Sequence, residues 1–128
     1  MANLTAEQKS FMTDLYHTYE LTADDVFKHA HFTIIRLSGV NKIMAKAGIE
    51  IDYNVEGCNA QYAAVRCEAT FPDGQRIVTF GSASPDNCRS PYYLEMAEKR
   101  AKSRAVLMLC GCYGNGVYSE AEEAHMNE

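Results

Sequence analysis

The sequence predicts an α+β fold: a three- to four-stranded antiparallel meander covered by one long C-terminal helix, with helices ahead of it. Three observations carry that expectation. Tyr92 to Cys110 is built almost wholly of good helix formers, without an internal Gly or Pro, between Ser90-Pro91 and Gly111. Within it Ala97, Ala101 and Ala105 recur every four residues on a stripe with Leu94, Met108 and Leu109, so this helix can lie very close to a sheet. Upstream, three segments alternate in hydrophobicity, and Pro72-Asp73-Gly74-Gln75 joins the last two as a turn with Asp-Gly at its centre.

The elements follow in order. Thr5-Ala6-Glu7-Gln8 has the form of a capping box, opening a helix from Ala6 to about Thr18 whose apolar side is Phe11, Leu15 and Tyr19. Thr22 is placed to cap a second short helix, Ala23 to about His29, with Asp24 and Asp25 in its first turn. Together these predict an N-terminal helical arm over 5–30, separate from any sheet. His31 to Leu37 is β-branched and partly alternating, a strand or an extended lead-in. Ser38 is a cap candidate for a helix over Val40–Ala47, ended by Gly48.

Ile49 to Val55 alternates strictly, with Ile49, Ile51, Tyr53 and Val55 expected inward and a turn at Gly57–Asn59. Gln61 to Phe71 puts Ala63, Val65, Cys67, Ala69 and Phe71 on one face and Tyr62, Arg66, Glu68 and Thr70 on the other. Arg76 to Ala83 returns, and Ser84 to Arg89 is a polar loop before the long helix. The expectation is one α+β domain over 1–119, with its β-β-β-α core at 31–119 and an acidic tail at 120–128.

The chain has 128 residues, enough for one core. Met1 to Lys9 lacks a signal-peptide pattern and no apolar run approaches the ~20 residues of a membrane span. A cytoplasmic protein without membrane contact is expected. Five cysteines with scattered spacing read as reduced thiols. Cys110 and Cys112 form a single C-x-C, not the repeated pairing of zinc sites, so small buried thiols are expected and no metal or other cofactor.

Net charge is −5, which by itself argues against a nucleic-acid partner. Its distribution softens that. Glu120, Glu122, Glu123 and Glu128 crowd the C-terminus, leaving twelve bases against thirteen acids elsewhere, and Arg89, Lys99, Arg100, Lys102 and Arg104 cluster within sixteen residues. An acidic tail either solvates or competes for such a basic surface.

No nucleophile–base or metal pattern is present: there is no G-x-S-x-G, H-E-x-x-H or Walker A sequence, and no histidine falls on the meander or the long helix. The Gly-rich stretch Gly111–Gly116 follows a helix, whereas phosphate cradles precede one. A non-enzymatic binding protein is the expectation. Single-stranded nucleic acid needs cations along its backbone and aromatic faces for its bases. On the long helix Glu95–Lys99 and Glu98–Lys102 are acid-before-base pairs at i,i+4, so those lysines are partly neutralised. Arg100 and Arg104 share the opposite flank with no acid at i±4, which suggests an anion-binding edge. Arg66 and Arg76 on the hairpin and Tyr92 and Tyr113 as stacking rings complete the candidates. For each, a plain solvated or half-buried side chain is the alternative, and the hairpin arginines can instead pair with Glu68.

The hairpin with Phe71-Pro72-Asp73-Gly74, then Met96-Ala97-Glu98-Lys99-Arg100-Ala101 and the G-x-Y-G-x-G-V-Y-x-E sequence from Gly111 to Glu120, resembles small phage and mobile-element proteins related to the single-strand annealing recombinases of the ERF and Redβ type. The resemblance covers roughly Gly39 to Glu120. It implies a β-β-β-α core and an accessory role in DNA recombination or repair. It also implies that the protein coats or anneals single-stranded DNA as a homo-oligomer, without a cofactor. Two rivals remain: a protein-interaction or oligomerisation module of the same fold without DNA binding, and an enzyme or small-ligand binder using a pocket between sheet and N-terminal helices.

Overall fold

In the computed structural model residues 4–29 and 32–123 are described. Ala30 and His31, and the end of the expected tail from Ala124 to Glu128, lie outside them. The long helix is α3 (Tyr93–Leu109), and two layers pack against it. The first is an antiparallel meander of β3 (Glu50–Asn59), β4 (Tyr62–Thr70) and β5 (Arg76–Ala83), in that spatial order. The α+β class, the antiparallel three-stranded sheet and the long C-terminal helix are thus as the sequence predicts.

The contact with this sheet is unusually close, and the residue types explain it. Ala97, Ala101 and Ala105 are fully buried. Opposite them stands Gly81, where a Cβ would come within 2.3 Å of the Ala97 carbonyl oxygen. The Thr79 hydroxyl donates to the Ala101 carbonyl at 2.6 Å, locking helix to strand. From β4, Ala63, Val65, Cys67 and Ala69 face the helix and are buried. Because α3 lies over β4 and β5 and barely touches β3, the inward expectation for β3 holds only in part. Ile49, just before it, is buried, but Tyr53 is 39% and Val55 52% exposed. The expected turn at Gly57–Asn59 is strand: β3 continues through an irregularity between Val55 and Gly57, and the chain reverses after Asn59.

The second layer corrects the helical arm. Residues 23–29, expected as helix, contain β1 (Val26–His29), which pairs antiparallel with β2 (Phe32–Ile35). The physical cause is local. Asp25 accepts from the Thr22 amide and hydroxyl, and the Asp25 amide donates to the Thr22 carbonyl, closing a turn where a helix would have continued. Val26 and Phe27 then favour the extended state. A short β6 (Val117–Ser119) adds parallel to β2, with Ile34 opposite Tyr118. Helix α2 (Leu37–Ala47) and helix α1 (Ala6–Tyr19) complete this layer, so the N-terminal elements are integral rather than an arm.

Three end signals differ. Ser38 is not a cap; the cap position is Arg36, and the Ser38 hydroxyl donates to Asp25. Ser90 and Pro91 precede the cap position, Tyr92, by two residues and one. The domain also runs past 119: Glu120–Glu122 is a packed 3-10 turn whose Glu120 carboxylate accepts from the Leu37 amide at the start of α2. Among the described residues no helix is long and apolar enough to cross a membrane.

Candidate nucleic-acid interface

The two arginines expected to form an anion-binding edge are engaged within the fold. Arg100 donates to the Ser82 carbonyl (2.7 Å), the Asn87 side-chain oxygen (2.9 Å) and the Asn87 carbonyl (2.6 Å). Arg104 donates to the Phe80 carbonyl at 2.8 Å and makes a two-point pair with Glu122, at 2.7 and 3.2 Å. Both ions of that pair are largely buried, 21% and 16% exposed. Arg104 is therefore ion-paired, not free, and Glu122 packs against the body of the fold rather than extending as a solvating tail. Partial burial pushes the Arg100 guanidinium pKa down. Ser82 and Phe80 lie on β5, an edge strand, so the two guanidinium groups satisfy carbonyls that the sheet leaves unpaired.

The other candidates scatter. Lys99 is exposed, in a cleft of about 270 Å³ that it shares with Leu37, Met96, Arg100, Ser103 and Glu120. Lys102 lies on the far flank and donates to Asn41 of α2, not to Glu98. Tyr92 is 66% exposed at the start of α3. Tyr113 is unavailable for stacking: its hydroxyl donates to Glu122 at 2.7 Å and its ring meets Tyr118 edge-on at 4.9 Å. Burial, with the carboxylate beside it, raises the Tyr113 pKa.

Arg66 and Arg76 come together on the face of the meander turned away from α3. Directly opposed residues of an antiparallel pair share a face. Arg66 stands opposite Phe80, Glu68 opposite Val78 and Thr70 opposite Arg76. Arg76 reaches Glu68 at 3.6 Å, a loose and mostly exposed pair. Arg66 has no ion pair or hydrogen bond to the described residues. Beside it Phe80 is 55% exposed, and Tyr62 and Val78 add exposed apolar area on the same face. Phe80 and Tyr62 were not among the sequence candidates. The signal for Phe80 was there: in Arg76–Ala83 it falls in phase with Arg76 and Ser82, opposite to Thr79, Gly81 and Ala83.

One buried carboxylate is structural. Asp25 is 2% exposed and binds Lys42 (2.6 Å), Ser38 (2.7 Å) and Thr22. The Lys42 ammonium holds its carboxyl far below the usual range, with Ser38 and Thr22 contributing against the cost of burial. Burial pushes the Cys67 and Cys110 thiols up to about 11. Cys67, Cys88 and Cys112 are buried and Cys110 is half-buried, whereas Cys58 is exposed. Among the described residues no three His, Cys, Asp or Glu side chains are grouped to hold a metal ion. Compared with known proteins, the sequence matches no protein-family model and no curated protein.

Proposed function

We propose that this chain binds single-stranded DNA through the open face of the β3–β4–β5 sheet, as a non-enzymatic accessory in phage or mobile-element recombination or repair. The observation that carries this reading is Arg66, without an ionic partner among the described residues, directly opposite the exposed ring of Phe80. An arginine for the phosphate and a flat aromatic for the base are the two elements of sequence-tolerant single-strand binding. Tyr62 extends the stacking surface and Arg76 the positive charge. The resemblance of the hairpin and long helix to annealing recombinases supports the same reading, and with it a cytoplasmic homo-oligomer that needs no cofactor.

The test is a fluorescence titration with a labelled oligothymidylate at low salt. Stacking contributes about 1–3 kcal/mol per base. Phe80→Ser and Arg66→Glu should each weaken binding by roughly tenfold or more, since about 1.4 kcal/mol is tenfold. Wild-type affinity in both variants would refute the site. A second reading has its own support. The exposed large hydrophobics Tyr53, Val55, Tyr62, Val78, Phe80, Tyr92 and Leu94 all lie on this sheet or the start of α3. A protein-interaction module would retain no DNA at low salt and would self-associate in light scattering.

A further inference from the structure

We propose that the free edge of β3 is a docking strand for an extended segment of another protein in which basic and apolar residues alternate. The two edges of the meander differ. On β5 the carbonyls of Phe80 and Ser82 are taken by Arg104 and Arg100, so a partner strand meets occupied acceptors. On β3 ten residues, Glu50–Asn59, pair only with β4 and run along an edge that α3 barely touches. An open strand edge offers main-chain hydrogen bonds, and alternate side chains then set which segment fits.

The side chains of β3 define that segment. One face carries Ile51, Tyr53 and Val55, with Tyr53 and Val55 39% and 52% exposed. The other carries Glu50 and Asp52, both exposed and without an ion pair among the described residues. Asp52 stands directly opposite Glu68, an unfavourable like-charge pair whose Glu68 is shared with Arg76 on the far side. Lysine or arginine on an added strand would relieve that repulsion, while its alternate apolar residues would cover Tyr53 and Val55. A second copy is the wrong occupant for this edge. Antiparallel β3–β3 pairing centred on Ile51 or Asp52 sets acid against acid, and on the β5 edge the Phe80 and Ser82 carbonyls are already taken. Acids on a free edge disfavour self-pairing and admit a basic strand.

The test uses two labelled eight-residue peptides, one alternating lysine and valine, the other glutamate and valine. Binding is read by fluorescence anisotropy and by amide NMR shifts of the full chain. The lysine peptide should bind, with shifts concentrated in Glu50–Asn59. The Glu50→Lys/Asp52→Lys double variant should weaken it at least tenfold and admit the glutamate peptide. A Glu7→Lys/Asp14→Lys variant, of equal charge change on α1, should bind the lysine peptide as wild type does. Absence of binding, equal binding of both peptides, shifts located elsewhere, or equal loss in the α1 variant would each overturn the proposal. None of these readouts involves DNA, so they stand apart from the test of the open face.

Discussion

Gly81→Ala probes the contact on which the fold turns. A methyl group at this position would sit 2.3 Å from the Ala97 oxygen and 2.5 Å from the Ala101 nitrogen, both backbone atoms that cannot rotate away. Ordinary contact begins near 3.4 Å, so α3 must retreat by about 1 Å. Overpacking of this kind costs about 1–3 kcal/mol. The retreat also stretches the 2.6 Å bond from Thr79 to the Ala101 carbonyl, a loss of about 1 kcal/mol. Against this, alanine gains about 0.4–1 kcal/mol by restricting the unfolded chain. The steric terms win, leaving a net loss of about 1–3.5 kcal/mol from a stability of order 5–15 kcal/mol. Urea unfolding followed by circular dichroism should show a lower midpoint with an unchanged slope, and thermal melting a drop of roughly 10 °C. Gly114→Ala, with nothing within 4 Å of the added carbon, is the control and should be neutral. A loss below about 0.5 kcal/mol in Gly81→Ala would mean that the alanine stripe does not set the helix–sheet distance.

Two further perturbations bear on buried charge. Asp25→Asn removes the charge that faces Lys42 and replaces one of the two oxygens that accept from Lys42 and Ser38 with a donor, and should cost about 2–3 kcal/mol at neutral pH. Because the folded carboxyl is held below its ordinary value, this contribution is complete above ~pH 4 and is lost as pH falls toward the folded value. Wild-type and variant stabilities should therefore converge in acid, and a constant gap down to ~pH 2 would refute the assignment. Arg100→Met with Arg104→Met should lower stability by several kcal/mol and bare the Phe80 and Ser82 carbonyls; light scattering should then show concentration-dependent association, and a stable monomer would contradict edge sealing.

What was legible in the sequence was what near neighbours determine. The capping box forms in both directions, with Thr5 and Gln8 exchanging bonds of 3.0 and 3.1 Å. The Asp-Gly turn forms with Gly74 at φ +96, a conformation that favours glycine. The alanine stripe faces a sheet because it lets the helix backbone approach the strands closely, at Gly81 above all. The strand β1 was hidden because Asp25 is a good first-turn residue on local grounds. Its actual acceptor role depends on Lys42, seventeen residues away, and Ser38, thirteen away. The pair of Arg104 with Glu122 spans eighteen residues and a change of direction. Counting acids at i±4 cannot see it, so the arginine of this pair looked like a free cation and its glutamate like part of a tail.

That difference has a measurable consequence for how this protein could hold DNA. Each phosphate neutralised on a single strand contributes about −0.7 to the slope of log affinity against log salt. An interface along α3, using Lys99, Arg100, Lys102 and Arg104 from its two flanks, would give about −3 per protomer by that rule. It would also have to break the pair with Glu122 and the bonds that seal β5. The open face offers Arg66 and a share of Arg76, because Glu68 competes for the latter at 3.6 Å. Its slope should be only about −0.7 to −1.4, with much of the affinity surviving as stacking on Phe80. Glu68→Gln frees Arg76 and should steepen the slope toward the upper value while tightening binding at low salt. A wild-type slope near −3, unchanged by Glu68→Gln, would return the interface to the helix flank and refute the open face.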